Sequence, residues 1–431
     1  MIELGANGLS RGRWRRLPAV WLTPLLASTL FGALGCDVPL ASFEANRVFT
    51  KRLEISEDVD LQPVAQQVNA ILQELFGTPD KPRWPATLAD DPQAGQLVSL
   101  ERLQRAAGAV RSDEAGVHYG LYREHCILCH GVSGGGAGPT SRLLNPYPRD
   151  FRLGIFKFKS TPQGAKPTRE DLARTLHEGI VGTSMPSFSL LIEDDVQALV
   201  DYVIYLGIRG EVERRLLLRA TYELDVDAGP PWIDLQSADR QSPEFTEQWQ
   251  EVQQVALAVA RSWSVAAGQA RTQVSPPQGF PLVGQSEQAG LLAESIARGR
   301  EIFHGPIGNC VSCHGADGSG QGQPADYDVW TKDWTVQARL DPTDKEQLRP
   351  LLKLGALKPR VIQPRDLRRG IYRGGSRPED LYRRIVHGID GTPMPAVPRQ
   401  PDNPLGLSER DVWDLVNYLL DLPQRSLDDS L

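Results

Sequence analysis

Four of the five cysteines fall in two pentads, Cys126-Ile-Leu-Cys129-His130 and Cys310-Val-Ser-Cys313-His314. Nothing else in the 431 residues restricts the fold as much. The pattern C-x-x-C-H is the attachment site of haem c: two thiols add to the two vinyl groups of one porphyrin, and the adjacent imidazole sits under the iron. Composition alone would give one such pentad on the order of once in a thousand chains of this kind. Two C-x-x-C pairs could instead hold a structural zinc or act as redox dithiols. Neither chemistry requires His at the next position both times. The expectation is two covalent haems, with Cys126, Cys129, Cys310 and Cys313 as thioether sites and His130 and His314 as iron ligands.

The sequence after each pentad repeats. Glycine-rich runs follow, 131–138 and 315–322, where backbone can pass a flat cofactor without a Cβ clash. Then come Pro148-Arg149-Asp150-Phe151 and Pro364-Arg365-Asp366-Leu367. Helix starts are expected at Thr168, with Asp171 three residues on, and at Ser376, with Glu379 three residues on; both helices stop at glycine, Gly179 and Gly388. Next are Gly-Thr-Ser-Met185-Pro and Gly-Thr-Pro-Met394-Pro, which hold the only methionines besides Met1. Core-filling methionine would be scattered, and a thioether is a good sixth ligand for haem iron. Met185 and Met394 are therefore the expected axial partners. Each half closes with an amphipathic stripe, Val196, Leu199, Val200, Val203, Ile204 and Val412, Leu415, Val416, Leu419, Leu420. Further helices are expected upstream of the pentads, near Glu114–Glu124 and Leu291–Phe303.

Both halves resemble class I cytochrome c domains. Leu199 with Tyr202, and Leu415 with Tyr418, match the Leu-x-x-Tyr of that family's C-terminal helix. Tyr122 matches its aromatic four residues before the first Cys, whereas His118 stands where the family has glycine. In the second half, three extra residues separate Phe303 from Cys310. The resemblance covers about 110–208 and 290–423. It implies an all-α fold, and it implies that a proline carbonyl beyond each pentad, Pro139 or Pro324, holds the proximal imidazole. The expected organisation is residues 1–36 as an export signal, 37–109 as an N-terminal extension, 110–210 and 290–425 as two cytochrome c domains, and 211–289 as a partly helical linker. His314 and Met394 are 80 residues apart against 55 for His130 and Met185, and the excess lies mostly in 321–363. That insertion reads as added packing, with a cofactor cover or a partner site as other roles.

The first 36 residues combine a basic stretch, Arg11 to Arg16, with an apolar run that ends at Cys36. They read as an export signal. Cys36 follows Ala33-Leu34-Gly35 and resembles a lipoprotein box, which makes it the candidate lipid attachment point; an uncleaved membrane anchor is the other reading. The expected location is the periplasm or cell envelope. A formal net charge of -7 argues against nucleic-acid binding. Charge is uneven, however: 358–384 holds nine Lys/Arg against three acids, and 141–174 eight against three. Such basic segments either pair with porphyrin propionates, dock redox partners or form a solvated face. Two functions compete. One is electron transfer by two six-coordinate haems, with an oxidase, a quinol-oxidising complex or a dehydrogenase as partner. The tandem arrangement also resembles the dihaem subunit of cbb-type oxidases and cytochrome subunits of envelope dehydrogenases. The other is a dihaem enzyme, such as a peroxidase or a thiol-oxidising cytochrome, which needs an iron with a free position. Two intact methionine loops favour the first.

Overall fold

Two long C-terminal helices organise the chain, each crossing a shorter helix that precedes a haem pentad. The computed structural model describes residues 41–224, 226, 231–270, 274–285, 287–322, 326–400 and 402–428. Residues 41–431 group as one unit. Among the described residues the regular structure is helical apart from two small antiparallel two-stranded sheets. Cys36 and Pro324 lie outside the described residues.

In the second half, helix Ala289–His304 crosses helix Glu409–Asp428. The crossing is close because Gly299 lies directly on the Asp414 carbonyl, where any Cβ would collide. Phe303 and Tyr418 pack with ring centroids 5.3 Å apart. Beside them, Ser295 and Arg298 bind the buried Asp414 carboxylate. Ser408 and Asp411 cap the C-terminal helix reciprocally, at 2.8 and 3.2 Å.

The first half reaches the same packing differently. The stretch expected as a helix near Glu114–Glu124 is a hairpin, Arg111–Ser112 against His118–Tyr119, followed by a short helix Leu121–His125. Gly116 and Gly120 take positive φ, 81° and 80°, which breaks a helix there. Helix Leu100–Ala106 supplies the missing crossing against Glu193–Tyr222, and Tyr122 still meets Tyr202 at 4.8 Å.

Most residues read as an extension, and the first part of those read as a spacer, belong to the first core, whereas Val274, Phe280, Leu282 and Val283 pack in the second. One continuous apolar cluster runs from Phe43 to Trp263. Helix Gln62–Phe76 presents Val64, Val68, Ile71, Leu72 and Leu75 to it, all buried. The C-terminal helix of the first half runs on to Tyr222, and helix Pro243–Ser264 packs along it. Its Trp263 indole donates to Glu211 at 2.7 Å. The apolar stripes of these segments face inward and are buried against the helices of the first half.

Helix Arg169–Glu178 starts at Thr168 with a full capping box to Asp171. The matching helix, Pro378–His387, starts at Arg377 rather than at Ser376. Pro378 fixes the first turn, and the Asp380 carboxylate takes the Arg377 guanidinium at 3.0 Å.

Candidate functional site

The first pentad forms helix Ile127–His130, which places Cys126, Cys129 and His130 on one wall of a cavity of about 290 Å³. Met185 lines the same cavity. The four residues singled out in the first half therefore meet at one site. Glycine is needed beside it: at Gly138 a Cβ would sit 2.5 Å from the Leu128 carbonyl and 2.6 Å from that of Ile127.

His130 is held by the Arg149 carbonyl, with Nδ1 to O at 2.9 Å. A carbonyl only accepts, so Nδ1 carries the proton and Nε2 keeps its lone pair for a metal. Burial pushes this imidazole down to about 4, against the opposing effect of the Arg149 carbonyl bond, so it stays neutral near pH 7. Phe151 stacks on the ring at 4.5 Å. In the second half His314 Nδ1 meets the Arg365 carbonyl at 3.2 Å, and burial again lowers its pKa.

These bonds correct one expectation. Pro139 is exposed and does not hold His130; Arg149 does. Arg365 holds His314, so the role expected of Pro324 is filled from elsewhere. The repeated Pro-Arg-Asp sequence carried that signal, but its distance from each pentad hid the contact. The Asp carboxylate pins the loop in both halves: Asp150 takes the Arg152 amide and guanidinium at 2.8 to 2.9 Å, and Asp366 takes those of Arg368.

The two methionine loops share one conformation. Thr183 Oγ1 donates to the Ile180 carbonyl at 2.7 Å, and the Met185 amide donates to Thr183 Oγ1 at 3.1 Å. Thr392 makes the same bonds with Ile389 and Met394, at 2.7 and 3.3 Å. Ile180 and Ile389 each close the loop on the Met carbonyl at 3.1 Å. Gly182 and Gly391 both sit at φ 71°.

The insertion at 321–363 closes the first cavity. Asp328, Trp330, Asp333 and Trp334 line it from the second half. Asp333 pairs with Arg214 through two bonds, at 2.7 and 3.0 Å. Trp334 joins Leu348 and Leu351 in a small core against Val48 and Ile55 of the N-terminal region. Sequence reasoning placed Trp330 in an insertion that favoured added packing over a cofactor cover, and Lys157 in a basic segment open to pairing with propionates; only the tertiary fold brings the two together at the first cavity.

The basic segments meet each other. Lys159 and Asp390 form a buried pair at 2.7 Å, Arg174 reaches Asp380 at 2.9 Å, and Arg360 donates to the Arg142 and Leu144 carbonyls. Much of the local positive charge is thus used inside the molecule. Cations also ring the first cavity. Burial and the neighbouring Arg149 bring Lys157 down to about 7, and burial lowers Arg149 to about 10. Burial likewise raises the Cys126 thiol to about 12 and that of Cys310 to about 11.

Paired cysteines, a neutral proximal imidazole and a thioether on one cavity define a c-type cytochrome site. The Cytochrome c family model matches residues 119–206 and 296–423, together half of the chain, and the chain belongs to that family. It is all-α with tandem cytochrome c domains, and such domains hold covalently bound haem c and serve electron transfer. A solved structure, the Kuenenia stuttgartiensis reducing HAO-like protein complex Kustc0457/Kustc0458, is similar over 73% of this chain and 99% of the matched chain, at 24% identity and a TM-score of 0.40. No curated protein matches the chain.

The first cavity fits a haem. Two residues of its wall, Trp330 and Arg373, each have a buried donor, Nε1 and Nε, without a hydrogen-bond acceptor. Buried donors call for an anionic partner such as a propionate.

Proposed function

We propose that this chain is a dihaem c-type cytochrome that relays single electrons in a bacterial envelope, as inlet to or carrier for a membrane redox complex. The repeated geometry carries the reading: in each half an imidazole Nδ1 is tied to an Arg carbonyl, and a threonine-pinned loop presents one methionine. Cys126, Cys129, Cys310 and Cys313 are the thioether residues, and His130 with Met185, and His314 with Met394, the axial pairs. When bound, each haem supplies a one-electron couple whose potential methionine ligation raises.

The residues of the chain do the rest. The Arg149 and Arg365 carbonyls orient the imidazoles and keep Nε2 basic. The threonine-pinned loops hold the thioethers against exchange with water. Phe151 and Trp330 help keep solvent from the first cavity. With both axial positions filled, no site is left for peroxide or a thiol, which favours relay over turnover. Cys36 is the proposed lipid attachment point.

The test is intact mass with haem staining, combined with the ferric near-infrared spectrum. Two haem masses and a Met-to-iron band for both sites are expected. One haem or none, a His/His spectrum, or peroxide turnover above about one per second would overturn this reading. For the anchor, Cys36→Ser is expected to release the protein from membranes; a wild type already free of them excludes lipidation.

A further inference from the structure

The first cavity is incomplete within its own half. Its charged wall contains five Arg or Lys side chains and three Asp side chains. Arg152 pairs with Asp150 and Arg214 with Asp333. Arg149, Lys157 and Arg373 remain around the single carboxylate of Asp328, which Lys157 approaches only to 4.0 Å. With Lys157 protonated, the wall carries two positive charges in excess, and a haem carries two propionates. Among these cations lies Trp330, contributed by the second half. Arg149 stacks on its ring at 3.3 Å, and Lys157 Nζ lies 5.2 Å from the ring centre. Its indole Nε1 is buried and has no hydrogen-bond acceptor. An indole N–H can only donate, and a buried donor left unpaired is destabilising.

We propose that Trp330 completes the haem site of the first domain from across the domain boundary and donates its indole N–H to a propionate there. This rests on the dihaem reading above. The position of the ring is fixed from behind. Gly391, in the second methionine loop, lies on the six-membered ring of Trp330, where a Cβ would collide. The Val329 amide donates to the Gly391 carbonyl at 3.1 Å. One side chain thus faces the first cavity and backs onto the loop that carries Met394. The indole N–H would stabilise negative charge at the propionate edge and the ring would exclude water, and both effects favour the ferrous state.

The test uses the full-length haem-loaded protein. Trp330→Phe keeps an aromatic ring at the position and removes the N–H together with the outer ring edge that lies on Gly391. It should retain both haems and both Met-to-iron bands, lower the midpoint potential of the first-domain haem alone, and shift the propionate bending bands of that haem in resonance Raman spectra. The haem is assigned through the band lost in Met185→Ala. Trp330→Ala should lower the same potential further. Unchanged potentials and Raman bands in Trp330→Phe overturn the proposal. So do equal shifts at both haems, which would make Trp330 mere packing under the second loop. A wild-type protein without two haems sinks the dihaem reading itself, a result distinct from either.

Discussion

Arg149 serves the first site with its backbone and its side chain at once: its carbonyl fixes the tautomer of His130, and its guanidinium lies on Trp330. No substitution of the side chain removes the first function, so the imidazole geometry survives mutation there. Met185 and Met394 are different, because each acts through one sulfur. Met394→Ala should abolish half of the Met-to-iron charge-transfer intensity and lower the potential of one haem, as followed by near-infrared spectroscopy and potentiometry. Asp150 offers a test in pH. Burial alone would raise its pKa, but the Arg152 guanidinium and amide outweigh burial and hold it below the usual carboxylate range. A depressed folded pKa gives stability that is present above the unfolded value of about 3.9 and lost as pH falls through the folded value. Asp150→Asn should therefore cost roughly 1–3 kcal/mol at pH 7, a gap that closes on acidification below about pH 4 in denaturant titrations. At this scale the attachment motif is legible because its residues are contiguous. The carbonyl partners are not, since His314 and Arg365 lie 51 positions apart and any carbonyl can accept.

The packed helix pairs depend on small contacts. Gly299→Ala would push a methyl into the Asp414 carbonyl at the crossing of Ala289–His304 with Glu409–Asp428. A loss of about 3 kcal/mol, the upper end for an overpacked core, is expected. Gly290→Ala, in the same helix, meets nothing within 4 Å and should be neutral or slightly stabilising. Chemical denaturation of both variants separates the crossing from helix propensity. The stripes at Val196–Ile204 and Val412–Leu420 were readable because periodicity reports which face is buried. The hairpin at Arg111–Tyr119 was not, because positive φ at Gly116 and Gly120 leaves no trace in an apolar pattern. Ser376 failed as a cap for a similar reason: Pro378 fixes the first turn one residue later.

At the scale of the whole molecule, the two cytochrome c halves are joined by buried charge. Lys159 also donates to the Ala165 carbonyl at 2.7 Å, so its ammonium is held by both the Asp390 pair and the loop. Lys159→Ala leaves Asp390 buried and unpaired, and about 3–5 kcal/mol of stability should go with it. Thermal melts of the haem-loaded protein check the value, and Asp390→Asn in the same background should recover part of the loss. Composition located the basic segments but not their use. The acids that pair with Lys159 and Arg174 of the first segment, Asp390 and Asp380, come from the other half of the chain. The insertion was legible as extra length, and its place over the first cavity was not, since no local pattern encodes a contact between sites so far apart in sequence.

Trp330 stands 200 positions after His130. A first half whose partner has not folded therefore leaves its pocket open on the side where the insertion lies. Residues 326–357 thus tie the completion of the first pocket to the folding of the second half, although domains of this size otherwise fold as units.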